Sequence, residues 1–236
     1  MRAPRLFCYC LLASALCGCT LEAGSLREPI EPDAPLVEQP AKQQPADTQS
    51  LLRQLEGTPL AASGAVRFLS TGILELGEEK APLTLTVFTE YHCAYCNQFY
   101  REFIPRLERD FIENGKLKVR FVPFVIRKYP NSEDVLRGFL CAGTMGETLR
   151  MQTLLVNRQE KDRLTAKEYG KELGMDANGL QECMQSESIS SMLSSQKAVA
   201  ENLGVTLVPT FFLETEERIG LPEYADMRGW IESKLQ

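Results

Sequence analysis

The hydrophobic pattern changes period once, abruptly, near residue 90. Leu83 to Thr89 (Leu-Thr-Leu-Thr-Val-Phe-Thr) is an apolar, β-branched run that predicts a buried strand. From Asn97 onward Phe99, Phe103, Leu107 and Phe111 recur every four residues, which is one face of a helix. That helix has a stop signal at Asn114-Gly115, and Pro105 inside it predicts a kink. Upstream, Gly72 to Leu76 predicts the first strand, followed by a polar turn ending at Pro82. Downstream, Lys116 to Val125 predicts a third strand, with Leu117, Val119 and Phe121 on one face. Pro123 marks its end as an edge or a bend.

A helical stretch follows. Ser132–Cys141, Glu147–Asn157, Thr165–Leu173 and Ala177–Met184 each have helical spacing; Thr165 and Glu168 form a capping-box pattern and Asp176 is an N-cap. Ile189, Met192, Leu193, Val199 and Leu203 predict a further helix that ends at Gly204. Val208 to Leu213 predicts a strand with a proline at its start, and Arg218 to Leu221 a short one. Glu223 to Leu235 is a terminal helix with Met227, Trp230, Ile231 and Leu235 on its core face. The predicted order is β-β-α-β, a helical block, then α-β-β-α.

The change of period coincides with Cys93-Ala94-Tyr95-Cys96. Cys93 is placed at a helix N-terminus, where unpaired N–H groups and the helix dipole favour a thiolate over a thiol. Cys96 lies one turn further in, placed to attack a mixed disulfide formed on Cys93. Half a zinc site has the same spacing, but zinc needs two more ligands. Cys141 and Cys183 are isolated singles, and His92 adjoins Cys93, where it is badly placed to ligate beside it. An inert disulfide closing so short a loop gains little stability. The reading is a redox pair, with no metal. His92 is either a cation that lowers the pKa of Cys93 or a solvated loop residue. Glu90 is either a proton relay to Cys96 or a strand-end carboxylate in water.

The N-terminus bears on the compartment. Arg2 and Arg5 precede a short apolar stretch, Leu6 to Leu16, too short for a membrane span, so residues 1–18 read as a signal peptide. Leu16-Cys17-Gly18-Cys19 resembles a bacterial lipobox, which makes Cys19 a lipid anchor; an ordinary cleaved signal is the alternative. Thr20 follows rather than an aspartate that resembles an inner-membrane retention signal, which, in a cell with two membranes, favours an outer-membrane anchor facing the periplasm. Of eight cysteines, Cys8, Cys10 and Cys17 then leave with the signal and Cys19 carries lipid. An even set remains in an oxidising compartment, so Cys141 and Cys183 are expected to form a structural disulfide, the alternative being two buried free thiols.

Residues 19–63, with Pro29, Pro32, Pro35, Pro40 and Pro45, read as a disordered tether, although Leu51 to Leu60 also has the makings of a short amphipathic helix. Residues 64–236 read as one domain, with the helical insertion at about 131–187. A net charge of −6 and the lack of a basic cluster argue against nucleic acid as a partner.

The element order, together with Cys-x-x-Cys and Phe99, then Glu102 and Pro105, Gly115, and Gly204-Val205 before Val208-Pro209-Thr210, resembles the DsbA-like thiol–disulfide oxidoreductases. The fold that this implies is α/β: a thioredoxin-like fold with an inserted helical subdomain. The resemblance implies a cis Val208–Pro209 bond beside the cysteines, with Val208, Pro209 and Thr210 lining a substrate groove. It also implies an extracytoplasmic enzyme that forms disulfides in cysteine-containing proteins, with a membrane redox partner and no cofactor beyond its own disulfide. A reductase or isomerase, or a thioredoxin-like chaperone without turnover, is the alternative. Ala94 stands where the family often has proline. Tyr95 resembles the reductase-leaning relatives and Val208 the oxidases.

Overall fold

The computed structural model describes residues 47–158 and 164–236. Its centre is β4 (Leu83–Thr89), which pairs in parallel with β5 (Leu117–Pro123) and antiparallel with β6 (Thr210–Leu213). β3 (Leu74–Leu76), β2 (Val66–Leu69) and β1 (Pro59–Ser63) extend the sheet beyond β5, and β7 (Glu216–Ile219) beyond β6. Among the described residues the strand order is β1-β2-β3-β5-β4-β6-β7.

β4 is buried along nearly all its length because the sheet is covered on both sides. On one side Leu85, Val87, Val119, Phe121, Phe211 and Leu213 pack with Phe99, Phe103, Leu107 and Phe111. On the other, Phe88, Val122 and Phe212 pack with Leu52 and Leu55 near α1 (Thr48–Arg53) and with Val199 and Ala200 of α8 (Glu187–Asn202). A strand buried on both faces needs residues that pack on either side, and the apolar and β-branched positions of Leu83 to Thr89, buried Thr86 among them, supply that.

The helix after the cysteines runs through α2 (Ala94–Gln98), a π segment (Phe99–Phe103), α3 (Ile104–Leu107) and a second π segment (Glu108–Ile112). Pro105 lacks the N–H that the regular ladder requires, and the turn before it is widened: Ile104 donates to the carbonyl of Phe99, five residues back. The disturbance expected at Pro105 thus takes the form of wide turns. Between β5 and β6 lie α4 (Ser132–Thr144), α5 (Thr148–Asn157), α6 (Ala166–Glu172), α7 (Ala177–Met184) and α8; α9 (Tyr224–Lys234) ends the chain. The capping box of Thr165 and Glu168 is complete, and Asp176 caps α7 through Asn178 and Gly179.

Several expectations need correction. The strand expected first is the third, and it starts at Leu74, because Gly72 is a turn residue with φ +78°. The sheet begins before residue 64: β1 and α1 lie in the stretch expected to be tether. β1 is mostly exposed along its length, so it carries no apolar alternation to betray it. β5 is an interior strand despite Pro123, which is its last residue, opposite Thr89. The last strand is shifted to Glu216–Ile219. Residues 1–46, and with them the signal peptide, Cys19 and most of the tether, lie outside the described residues.

Candidate active site

β4 ends at Thr89, and the chain turns through Glu90, Tyr91 and His92 into the helix. Cys93 is the N-cap of α2, with extended backbone (φ −78°, ψ 117°), and its sulfur accepts the N–H of Cys96 at 3.4 Å. The cysteine thus occupies a position usually filled by Ser or Asp, and a thiolate serves the orphan N–H groups there better than a thiol. Across from it the Val208–Pro209 peptide is cis, and the Val208 carbonyl lies 3.6 Å from the Cys93 sulfur. Cys93 and Cys96 are both free thiols, 7 % and 3 % exposed.

Their environments separate the two sulfurs. The pKa of Cys93 falls to about 7, first through the hydrogen bond from Cys96, against burial, with further help from the N–H groups of Cys96 and Tyr95 and opposition from the charge of Glu90. Cys96 is pushed far up, chiefly by burial and then by its neighbour Cys93. At neutral pH the outer sulfur is therefore half ionised and the inner one holds its proton. The arrangement supplies a nucleophile at the helix N-terminus and a resolving thiol one turn behind it.

The turn is anchored from below. Asn97 donates to the Tyr91 carbonyl at 2.8 Å, and the Tyr91 hydroxyl donates to Gln152 of α5 at 2.6 Å. The Tyr91 ring also packs on Phe139 of α4. The helical insertion thus braces the active turn directly. Neither Asn97 nor Gln152 was singled out from sequence, and a contact across 61 positions leaves no local signal.

The other expected site residues are placed as follows. His92 is 7 % exposed, paired with Glu90 and stacked on Tyr129, so it is not a solvated loop residue. Glu90 is 3 % exposed, so it is not a carboxylate in water. Ala94 is exposed, and Tyr95 stands 64 % exposed between the cysteines. Thr210 faces inward instead of lining the groove: it is 1 % exposed and its hydroxyl donates to the Leu207 carbonyl at 2.7 Å. Leu207, which sequence reading passed over, is 61 % exposed and precedes Val208. Cys141 and Cys183 are joined by a disulfide that ties α4 to α7.

Comparison with known proteins agrees with this geometry. The chain is 38 % identical over 47 residues to disulfide bond formation protein D of Bacillus subtilis (strain 168), a match covering 20 % of this chain and 21 % of that protein. It therefore spans about a fifth of that relative's length. The oxidised BdbD structure from Bacillus subtilis superposes with a TM-score of 0.61 at 19 % identity, covering 68 % of this chain and 91 % of that one. Chlamydia trachomatis DsbA gives 0.56 at 18 % identity, over 68 % and 90 %. At these identities the structural matches speak to the fold, which is thioredoxin-like with a helical insertion. The Thioredoxin family model (Thioredoxin_4) matches residues 70–233, a span that holds the cysteines, the cis-proline and the inserted helices, and the chain belongs to that family.

Proposed function

We propose that the chain is a thiol–disulfide oxidoreductase that forms disulfides in proteins outside the cytoplasm. The observation that carries this reading is the pairing of a low-pKa, N-capping Cys93 with a buried, protonated Cys96 beside the cis Val208–Pro209 peptide. In the oxidising direction a substrate thiolate attacks the Cys93 sulfur of the Cys93–Cys96 disulfide, and Cys96 leaves and takes up a proton. A second substrate thiolate then attacks the substrate sulfur of the mixed disulfide and releases Cys93 as thiolate. Two substrate thiols lose two electrons and two protons, and the pair gains the electrons. Exposed Tyr95, between the two cysteines, and exposed Leu207, which precedes Val208, offer apolar surface to an unfolded, cysteine-containing segment.

The wider setting belongs to the same proposal. Cys19 carries lipid and holds the domain at a bacterial membrane, facing the periplasm from the outer membrane, and a membrane redox partner re-oxidises the pair. Palmitate label incorporated by the wild type and lost in Cys19→Ala supports the anchor; label retained in that variant refutes it.

A second reading, a reductase kept reduced by the membrane partner, is favoured by one observation. Cys93 at about 7 lies at the weakly stabilised end of the range of about 3.5–7.5 found for activated cysteines. The reduction potential separates the two: disulfide donors lie near −120 mV and reductases near −270 mV, on a scale of about 30 mV per 1.4 kcal/mol. The exchange chemistry itself is tested by trapping. Cys96→Ser should accumulate mixed disulfides with extracytoplasmic proteins, and Cys93→Ser should accumulate none. Equal trapping by both variants would refute the assignment.

A further inference from the structure

Both oxygens of the Glu90 carboxylate are taken up by one residue. The His92 backbone N–H donates to Oε2, and the ring Nδ1 lies 2.7 Å from Oε1. A carboxylate only accepts, so the Nδ1 proton points at Glu90. The ring is held from its side by Tyr129, stacked at 5.2 Å with 14° between planes. Glu90 in turn is tied to the reactive turn, because its backbone carbonyl receives the Cys93 N–H at 3.1 Å. A buried anion at that position opposes the formation of a second one on sulfur.

We propose that His92 is a positioning residue for thiol exchange: by binding both oxygens of Glu90 it damps the effect of that charge on the Cys93 sulfur and so favours the thiolate. The role expected for His92, a cation acting on Cys93, is replaced by one that runs through the carboxylate. Glu90, with both oxygens committed to His92, is the charge that opposes the thiolate rather than a free relay to Cys96. Among the described residues, Tyr91, Cys93 and Cys96 are the ionisable groups on the same turn, Tyr129 stacks on the His92 ring from the loop before α4, and the exposed Lys128 lies over the Tyr129 ring. Glu90 is among the influences that oppose ionisation of Cys93.

The test is a double-mutant cycle on the reduced full chain, reading the ultraviolet absorbance of the thiolate against pH. Glu90→Gln should lower the midpoint, and His92→Ala should raise it by about 1 pH unit. In the Glu90→Gln background His92→Ala should add nothing. His92→Gln keeps a donor for the carboxylate and should titrate nearer to wild type than His92→Ala. A His92→Ala shift that persists in the Glu90→Gln background means direct action on sulfur and overturns the proposal. So does a folded His92→Ala protein that titrates like wild type, or a His92→Gln midpoint no nearer to wild type. Should His92→Ala alone fail to fold, Glu90→Gln and Glu90→Gln/His92→Ala bury no lone charge, and unequal midpoints between them overturn it. The inference rests on Cys93 as the exchange nucleophile, but the titration needs no substrate. If that reading fails, disulfide transfer is absent in the wild type; if only this inference fails, transfer stands.

Discussion

A buried charge network across three strands makes a quantitative prediction about stability. Arg67 of β2, Glu75 of β3 and Arg120 of β5 lie directly opposite one another in the sheet register. Arg67 reaches one Glu75 oxygen through two nitrogens at 3.0 and 2.6 Å, and Arg120 reaches the other at 2.6 Å. Their side chains are 10 %, 4 % and 9 % exposed. Arg120 also contacts Glu56, which is half exposed and counts for little. Glu75→Gln leaves two buried guanidinium groups without their shared anion. Removing one partner from a buried pair costs about 3–5 kcal/mol. At about 2–4 °C per kcal/mol for a domain of this size, the Tm should fall by about 6–20 °C.

The assay is denaturant unfolding followed by the fluorescence of Trp230, the only tryptophan in the sequence, which is 3 % exposed. The pH dependence adds a second check. Burial raises the pKa of Glu75, but hydrogen bonds from Arg120 and Arg67 outweigh it, and the net direction is down. A lowered folded pKa gives stability that is present above the unfolded value, about 4.3, and is lost as pH falls through the folded value. The gap between wild type and Glu75→Gln should therefore close on acidification below about pH 4. Replacing the triad together, as Arg67→Met/Glu75→Leu/Arg120→Met, should be neutral or stabilising, because no charge is left buried alone. A loss below about 1 kcal/mol in Glu75→Gln, or parallel acid profiles of the two proteins, would refute this account of the network.

Two further predictions concern the site. Alkylation of Cys93 by iodoacetamide should rise about tenfold from pH 6 to pH 8, centred near 7, while Cys96 stays unmodified; a rate flat above pH 5 would contradict that environment. Tyr91→Phe leaves the Gln152 side-chain oxygen buried without its donor and should cost about 1–3 kcal/mol in the same unfolding assay, and a neutral result would remove Tyr91 as a brace between turn and insertion.

The parts of the fold that were legible are those set by neighbours in sequence. Thr165 and Glu168 cap α6 because both partners lie within one turn, and Cys93 caps α2 for the same reason. The run from Leu83 to Thr89 announces a strand that is buried on both faces. β3 was legible in Leu74 and Leu76, but β2 was not expected, because Arg67 puts a charge on a buried face, opposite Glu75, where alternation calls for an apolar residue. Their mutual neutralisation is visible only once the strands are paired. β1 is a short exposed edge and has no pattern to read. At the site, the cysteine pair was legible from its spacing and from the change of period around it, whereas the proline's place beside the cysteines came only through the family resemblance. The inward turn of Thr210, the exposure of Leu207 and the commitment of Glu90 to His92 depend on where the backbone sends each side chain.

The most direct test of the central claim is stoichiometric transfer. The oxidised full chain is mixed with a reduced dithiol peptide, and the free thiols on each partner are mapped. The account predicts one disulfide on the peptide for each chain consumed, free thiols at Cys93 and Cys96, the Cys141–Cys183 bond intact, and no transfer from Cys93→Ser. Transfer that proceeds undiminished in Cys93→Ser, or that draws on Cys141–Cys183 instead, would contradict it.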